Sequence, residues 1–191
     1  MLADLVLELA PSAVSLTRSL ESYCTIMTPV TQLPDDLDLP DPPEPLGAYS
    51  AVVLRGGFGF VSGQFPLSAG VMLGIAHKQA TPDIAMYRSA AKIAAQNVAA
   101  QMLRALGSWD RFGGLCRIEG IIAAPSTFTG HAAVLDGASE SFVELFGPVL
   151  GAHARSATSS DSLPGNAAVE LVVTFAVRDT SSCERPYQGP L

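Results

Sequence analysis

The sequence predicts an α+β fold, in which two main helices pack on one face of a mixed β-sheet. Two observations lead to this class. Hydrophobic patterns along the chain follow the order hairpin, strand, helix, strand, helix, strand, strand, and no internal repeat is visible. Hydrophobic residues make up 48% of the 191 residues, with a mean hydropathy of +0.32, which is enough to bury one substantial core. We therefore expect one main domain, spanning residues 45–178.

Residues 1–44 have the pattern of an N-terminal extension to that domain. Apolar residues recur at helical spacing between residues 3 and 25, with a break near Pro11, which predicts one or two short helices. Residues 33–45 are dense in proline and aspartate, so we expect an extended linker on the surface. At the other end of the chain, residues 179–191 are expected to form a flexible tail.

Two apolar runs separated by a pair of glycines predict a β-hairpin at the start of the domain. The runs span residues 52–54 and 58–61. Gly56 and Gly57 both tolerate the positive φ that a primed two-residue turn requires. A third strand is predicted over residues 71–75.

Two helices are predicted from their caps and their periodicity. Residues 81–83, Thr-Pro-Asp, supply an N-cap hydroxyl, a proline at the first helical position and an acid near the positive end of the helix dipole. Apolar residues then recur with helical period until Gly107, which predicts the end of the first helix. A second helix is predicted over residues 131–146, with Gly147-Pro148 ending it.

The remaining strands carry the residues of greatest chemical interest. Strands are predicted over residues 115–124, 154–158 and 169–177. Arg155 lies at the start of the second of these, and Glu170 stands between apolar neighbours in the third. Because a turn joins the last two runs, the sequence predicts that Arg155 and Glu170 lie at facing ends of neighbouring strands.

Arg155 is the strongest candidate for ligand binding. In a chain with only 15% charged residues, a fixed guanidinium suits a small carboxylate, because its planar fork donates two parallel hydrogen bonds. The alternative is a solvated charge on a strand edge. Glu170 beside Arg155 could hold a water while the cation orients the substrate, whereas on a solvent face it is an ordinary surface acid. Tyr49 and Ser62, near the hairpin, each could donate a hydrogen bond to a ligand.

Composition argues against several other function classes. The net charge is -7 and the 11 Lys and Arg are scattered, so the basic stripe that nucleic acid requires is absent. No apolar run is long enough to span a membrane, and no basic region precedes the apolar residues 5–9, so we expect a cytoplasmic protein with no membrane partner. Cys24, Cys116 and Cys183 lie too far apart for a disulfide framework or a zinc site. We expect neither a metal nor an organic cofactor, since the sequence has no phosphate loop and no dinucleotide fingerprint.

Several stretches resemble the YjgF/RidA family of reactive-intermediate deaminases. They are Pro45 to Ser50 (PLGAYS), Gly56 to Leu67 (GGFGFVSGQFPL) and Ala154 to Ser156 (ARS), with Leu163, Pro164 and Glu170 at the expected offsets. Other stretches are similar to the chorismate-mutase-like branch of that family, to which endoribonuclease activity is attached by name. They include Val134 to Ser139 (VLDGAS), Val143 to Gly147 (VELFG) and His153 to Ala157 (HARSA).

The resemblance implies a chorismate-mutase-like fold that assembles as a homotrimer, with ligand clefts between neighbouring subunits. It implies as substrate an enamine or imine of a 2-oxo acid, which is hydrolysed to the 2-oxo acid and ammonia. Carried over by position, Arg155 would bind the substrate carboxylate and Glu170 would orient or activate water. Tyr49 and Ser62 would line the cleft, and the backbone near Ala157 would add contacts. Deaminase members often have cysteine where this chain has Ala157.

Four functions stay open at this stage. Hydrolysis of imines or enamines leads, because a protonated imine is already electrophilic and needs little beyond positioning and one carboxyl group. A non-catalytic trimer would use the same clefts to bind a small carboxylate as a sensor or scaffold. A dedicated biosynthetic step would act on one particular imine. Endoribonuclease activity has the least support, since the chain is net negative and no histidine pair is placed for acid-base cleavage.

Overall fold

The computed structural model of the chain describes Leu33 and residues 37–76 and 81–178. These residues belong to a compact unit that begins at Leu33. The predicted N-terminal helices and C-terminal tail lie outside the described residues, as do His77, Cys24 and Cys183. In the described range, neither helix has the length and apolar character needed to cross a membrane.

A five-stranded mixed sheet forms the centre of the domain. The strands in chain order are β1 (Val52–Arg55), β2 (Phe58–Gln64), β3 (Leu67–Ser68), β4 (Val71–Met72), β5 (Phe112–Ala123), β6 (Ala154–Ser160) and β7 (Val169–Val177). The main sheet has the order β1-β2-β7-β5-β6, and β3 pairs with β4 separately. β5 and β6 are parallel, while the other neighbours in the main sheet are antiparallel. β1 and β6 are therefore the two edge strands.

Two helices, α1 (Ile84–Leu106) and α2 (His131–Leu150), pack on one face of this sheet. Alternate residues of β7 are buried against them, because successive side chains of a strand point to opposite faces. The helices also cross closely, since a Cβ on Gly137 would lie 2.2 Å from the backbone oxygen of Arg88. The result is a two-layer α+β architecture, as the sequence predicts.

The ends of the helices differ in detail from the prediction. Asp83, and not Thr81, is the N-cap of α1, and its carboxylate accepts hydrogen bonds from the backbone N–H groups of Ala85 and Met86. The helix begins two residues later than expected because the charged carboxylate lies where it can bond those first N–H groups. Gly107 ends α1 in the left-handed conformation, with φ of 76°, as predicted.

The second helix continues beyond its predicted end. Gly147 has φ of 75° and interrupts the regular helix, as the Gly-Pro pair predicts. One further turn then follows, as far as Leu150. This turn brings the chain back to the start of β6, which runs parallel to β5.

The predicted hairpin is confirmed, and the predicted third strand is shorter than expected. β1 and β2 pair from Arg55 and Phe58 outward, with positive φ at the two glycines between them. β4 pairs only with β3, and Ile75 makes one isolated bridge to Ala167. The expectation that Arg155 and Glu170 lie on neighbouring strands is wrong, because β5 lies between β6 and β7. A parallel β5–β6 pair needs a helical crossover, which leaves the other side of β5 for β7.

Candidate functional site

Arg155 lies on the edge strand β6, and its side chain is held against α2. Its strand position is level with Ile118 of β5, a fully buried residue on the helix-covered face, so Arg155 points to that face. One guanidinium nitrogen, Nη2, donates to Oδ1 of Asp136 at 2.7 Å. The other, Nη1, donates to Oγ of Ser139 at 2.9 Å. The side chain keeps 30% of its surface exposed, so the guanidinium is fixed and still open to solvent.

The two residues that hold Arg155 are themselves held. Arg88 of α1 forms a second, longer ion pair with Asp136, with 3.8 Å between Nη1 and Oδ2. The hydroxyl of Ser139 lies 3.0 Å from Nε2 of His153, whose Nδ1 lies 2.6 Å from the backbone oxygen of Gly151. A carbonyl oxygen only accepts, so Nδ1 carries a proton, and in the neutral imidazole Nε2 then accepts from Ser139. The Ser139 oxygen is thereby oriented toward Arg155.

Glu170 lies on the opposite face of the sheet from α1 and α2. It pairs with Ile121 of β5, and its neighbours along β7 alternate with the buried core positions. Its carboxylate lies over Gly63, where a Cβ would approach Oε1 to 1.8 Å. The β2–β7 register shifts between Val61 and Gln64, and this bulge places Gly63 beside Glu170. Burial raises the pKa of the Glu170 carboxyl above its usual value.

Within one chain, Arg155 and Glu170 do not share a site. They occupy opposite faces, and the register places Arg155 level with Ile118 and Glu170 level with Ile121. Two strand spacings and three residues of rise separate their Cα atoms by roughly 14 Å. A three- or four-carbon acid cannot bridge that gap through the sheet.

Tyr49 and Ser62 lie near Gly63 and differ in what they offer a ligand. The Tyr49 hydroxyl accepts from the backbone N–H of Leu46 at 3.3 Å, which leaves its own proton available. The Ser62 hydroxyl gives its proton to the backbone oxygen of Ser50 at 2.9 Å, so it presents only an acceptor. The expectation that Ser62 donates to a ligand is not met in this arrangement.

A shallow pocket joins Tyr49 to the bulge. Its lining includes Tyr49, Gly63 and Gln101 of α1. The Gln101 side chain donates to the backbone oxygen of Pro43, and its own Oε1 is buried without a hydrogen-bond partner among the described residues. The segment before β1 is thus docked on α1, which fixes one wall of the pocket.

Ala157 lies on the same face as Arg155, two residues further along β6. It is level with Gly120 and packs partly against the core. Since β6 is an edge strand, alternate backbone groups along it point away from β5 and have no partner among the described strands. Such groups are available to a ligand or to another chain.

The face of the sheet opposite α1 and α2 is markedly apolar at its β1–β2 end. Phe58 is 45% exposed, Phe60 47% and Val53 38%. Large aromatic side chains exposed together on a sheet face are typical of an interaction surface. Elsewhere in the described residues, no three His, Cys, Asp or Glu side chains are grouped so that they could hold a metal ion.

Comparison with known proteins identifies the family. The family model described as "YjgF/chorismate_mutase-like, putative endoribonuclease" matches residues 31–177. The chain belongs to this family. The match begins close to Leu33, where the compact unit also begins.

Three known proteins illustrate what this chain is similar to. Protein TCP17 of Trypanosoma cruzi is 33% identical over 137 residues, covering 71% of this chain and 84% of TCP17. A crystal structure of a "putative endoribonuclease" from Shewanella oneidensis MR-1 has a TM-score of 0.68 at 28% identity, over 73% of this chain and 92% of that one. Atu1372 of Agrobacterium tumefaciens, a protein of unknown function, has a TM-score of 0.62 at 29% identity, over 68% of this chain and 82% of that one.

The residues that hold Arg155 in place could not be recognised from the sequence alone. Asp136 and Ser139 stand in the stretch that carries the family resemblance, but only the structure shows that they bond Arg155. Their spacing of three residues on a predicted helix puts both on one face, which was the available signal. Gly63 has no comparable signal in the sequence. Only the pairing of β2 with β7 shows that the Glu170 carboxylate occupies the space where a side chain at position 63 would lie.

Proposed function

We propose that this protein is a hydrolytic deaminase of small enamine or imine intermediates of 2-oxo acids, or catalyses a closely related reaction in a specific pathway. One observation carries the proposal: the Arg155 guanidinium is fixed by Asp136 and Ser139 and is still partly exposed. A guanidinium has five N–H donors, so two bonds to α2 leave three for a substrate carboxylate. Family membership supports the same role for Arg155.

Glu170 supplies the acid-base group in this proposal. Its carboxyl has a raised pKa because it is partly buried, which brings it closer to the pKa suited to proton transfer at neutral pH. Water attacks the iminium carbon as Glu170 takes its proton, and the C=N π electrons move to nitrogen. Glu170 then protonates that nitrogen. The hydroxyl oxygen forms the C=O bond as the C–N bond breaks, the hydroxyl proton passes to Glu170 and from there to the departing ammonia, and the 2-oxo acid is left. Positioning by Arg155 aligns the carbon with the water.

The site is complete only between subunits. Because Arg155 and Glu170 of one chain lie on opposite faces of the sheet, we place Arg155 of one subunit opposite Glu170 of the partner subunit. A homotrimer provides such clefts, and two features support it. Phe58, Phe60 and Val53 expose apolar surface on the face that carries Glu170. The β6 edge, which carries Arg155, has no neighbour on its outer side among the strands that the structure describes.

The test is ammonia release from freshly generated 2-iminopropanoate. Arg155→Ala should lower the rate about a hundredfold, because the substrate loses alignment as well as affinity. Lys92→Ala is the control: Lys92 is an exposed cation of α1 that pairs with Glu144 and contacts neither Arg155 nor the residues that hold it. It should leave the rate unchanged. Equal rates for wild type and Arg155→Ala would remove the proposal.

The same geometry favours one alternative, a non-catalytic trimer that binds a small carboxylate as a sensor or scaffold. A fixed, exposed guanidinium binds an acid whether or not a carboxylate on a partner completes the site. In that case 2-oxobutanoate raises the melting temperature of wild type but not of Arg155→Ala, while imine turnover stays at background.

The endoribonuclease name of the family gains no further support from the site. The two described histidines bond different partners, His131 the hydroxyl of Ser159 and His153 that of Ser139. The net charge of -7 also opposes binding to a polyanion. Incubation with single-stranded RNA should therefore leave it uncut.

A further inference from the structure

We propose that Asp136 and Ser139 are positioning residues for Arg155, which set the orientation of its guanidinium before a ligand arrives. The inference deepens the proposed function and depends on it for the identity of the ligand. The restraint on Arg155 itself depends only on contacts within the chain.

The restraint acts on two atoms of one planar group. Asp136 accepts from Nη2 at 2.7 Å and Ser139 accepts from Nη1 at 2.9 Å. With both terminal nitrogens bonded, rotation about the Nε–Cζ bond breaks both hydrogen bonds at once. Both bonds are charge-assisted on the donor side, and such bonds are stronger than neutral ones.

The acceptors share one rigid support. Asp136 and Ser139 lie three residues apart on α2, so they project from the same side of the helix. Arg88 of α1 fastens that part of α2, since its guanidinium donates to the backbone oxygen of Ala133 and pairs with Glu140. The close crossing at Gly137 fixes the separation of the two helices there.

The charges of the cluster leave Arg155 able to accept a further anion. Asp136 forms ion pairs with both Arg155, at 2.7 Å, and Arg88, at 3.8 Å, and Glu140 also pairs with Arg88. A carboxylate arriving at the remaining N–H groups of Arg155 meets a guanidinium that is already ordered. Preorganisation of this kind raises affinity because the ordering cost is met during folding.

The experiment measures rotation of the Arg155 guanidinium by ¹⁵N NMR in the full chain, with the signal assigned by Arg155→Lys. The test variants are Asp136→Asn and Ser139→Ala, and Ser139→Thr is the conservative rescue. Glu144→Gln is the matched control, because it disturbs the exposed Lys92 pair farther along α2 and leaves both Arg155 bonds and the Arg88 contacts in place. Turnover of 2-iminopropanoate and binding of 2-oxobutanoate are measured on the same samples.

In wild type and in the variants Glu144→Gln and Ser139→Thr, the two Nη groups of Arg155 should give separate signals, because rotation about the Nε–Cζ bond is hindered. In Asp136→Asn and Ser139→Ala they should merge, and kcat/KM should fall about tenfold or more, the effect expected for a hydrogen bond to a charged group. Signals that stay separate in both of those variants would overturn the positioning role, whatever the activity. If the signals merge in those two variants while wild type shows neither turnover nor ligand binding, the positioning role is supported and the proposed function is removed.

Discussion

Replacement of Gly63 by alanine tests whether Glu170 acts from the place the structure gives it. The new Cβ would lie 1.8 Å from Oε1, 2.8 Å from Cδ and 3.1 Å from Cγ of Glu170. Ordinary contact distances require the carboxylate to move by roughly 1.5 Å. The atom that must move is the end of a flexible side chain, so the fold should tolerate the change. The acid-base group of the proposed reaction should be displaced.

The expected result is a fall in kcat of about a hundredfold, the scale on which an ångström of misplacement affects a positioned group. Ammonia release gives the rate, and thermal unfolding checks that Gly63→Ala remains folded. A double-mutant cycle provides the control: in a Glu170→Gln background, Gly63→Ala should have no further effect. Full activity in Gly63→Ala, or additive losses in the double mutant, would refute the assignment.

Three further predictions concern stability. Because burial raises the pKa of Glu170, its charged form opposes folding; this cost is absent below pH 4.5, the unperturbed value, and is fully present above the folded pKa. Glu170→Gln should therefore raise the free energy of unfolding, measured with urea, at pH 7 and not at pH 4. An equal effect at both pH values would contradict burial of the charged carboxylate as the cause. Gly137→Ala should cost about 1–3 kcal/mol or more, since its Cβ meets the backbone of Arg88 at 2.2 Å, and an unchanged urea midpoint would be inconsistent with that crossing. Asp83→Ala should lower the free energy of unfolding by about 1 kcal/mol, and Thr81→Ala should leave it almost unchanged. The reverse order, measured by urea unfolding, would identify Thr81 as the N-cap.

Local signals allowed much of the fold to be predicted. The glycine pair of the β1–β2 turn and the left-handed cap at Gly107 depend on residues a few positions apart, and both are confirmed. Alternation along β7 correctly places Glu170 on the face opposite its apolar neighbours. In each case the determining interactions lie within one element, so the sequence contains them.

Tertiary pairing accounts for what could not be predicted. The turn before β7 gave no sign that β5 would separate it from β6, and with that strand order Arg155 and Glu170 cannot meet within one chain. The bonds from Arg155 to α2 likewise depend on how the helix crosses the sheet edge. The alternation of apolar and polar residues shows which face of a strand is buried, but which strand lies beside it is determined by tertiary packing.

The most direct test of the central claim is a crystal structure of the protein with 2-oxobutanoate. The account predicts the ligand carboxylate within hydrogen-bond distance of Arg155, with Asp136 and Ser139 still bonded to it and Glu170 of the partner subunit facing the 2-oxo carbon. A ligand bound away from Arg155, or an assembly that keeps Glu170 of every subunit far from the ligand, would contradict it.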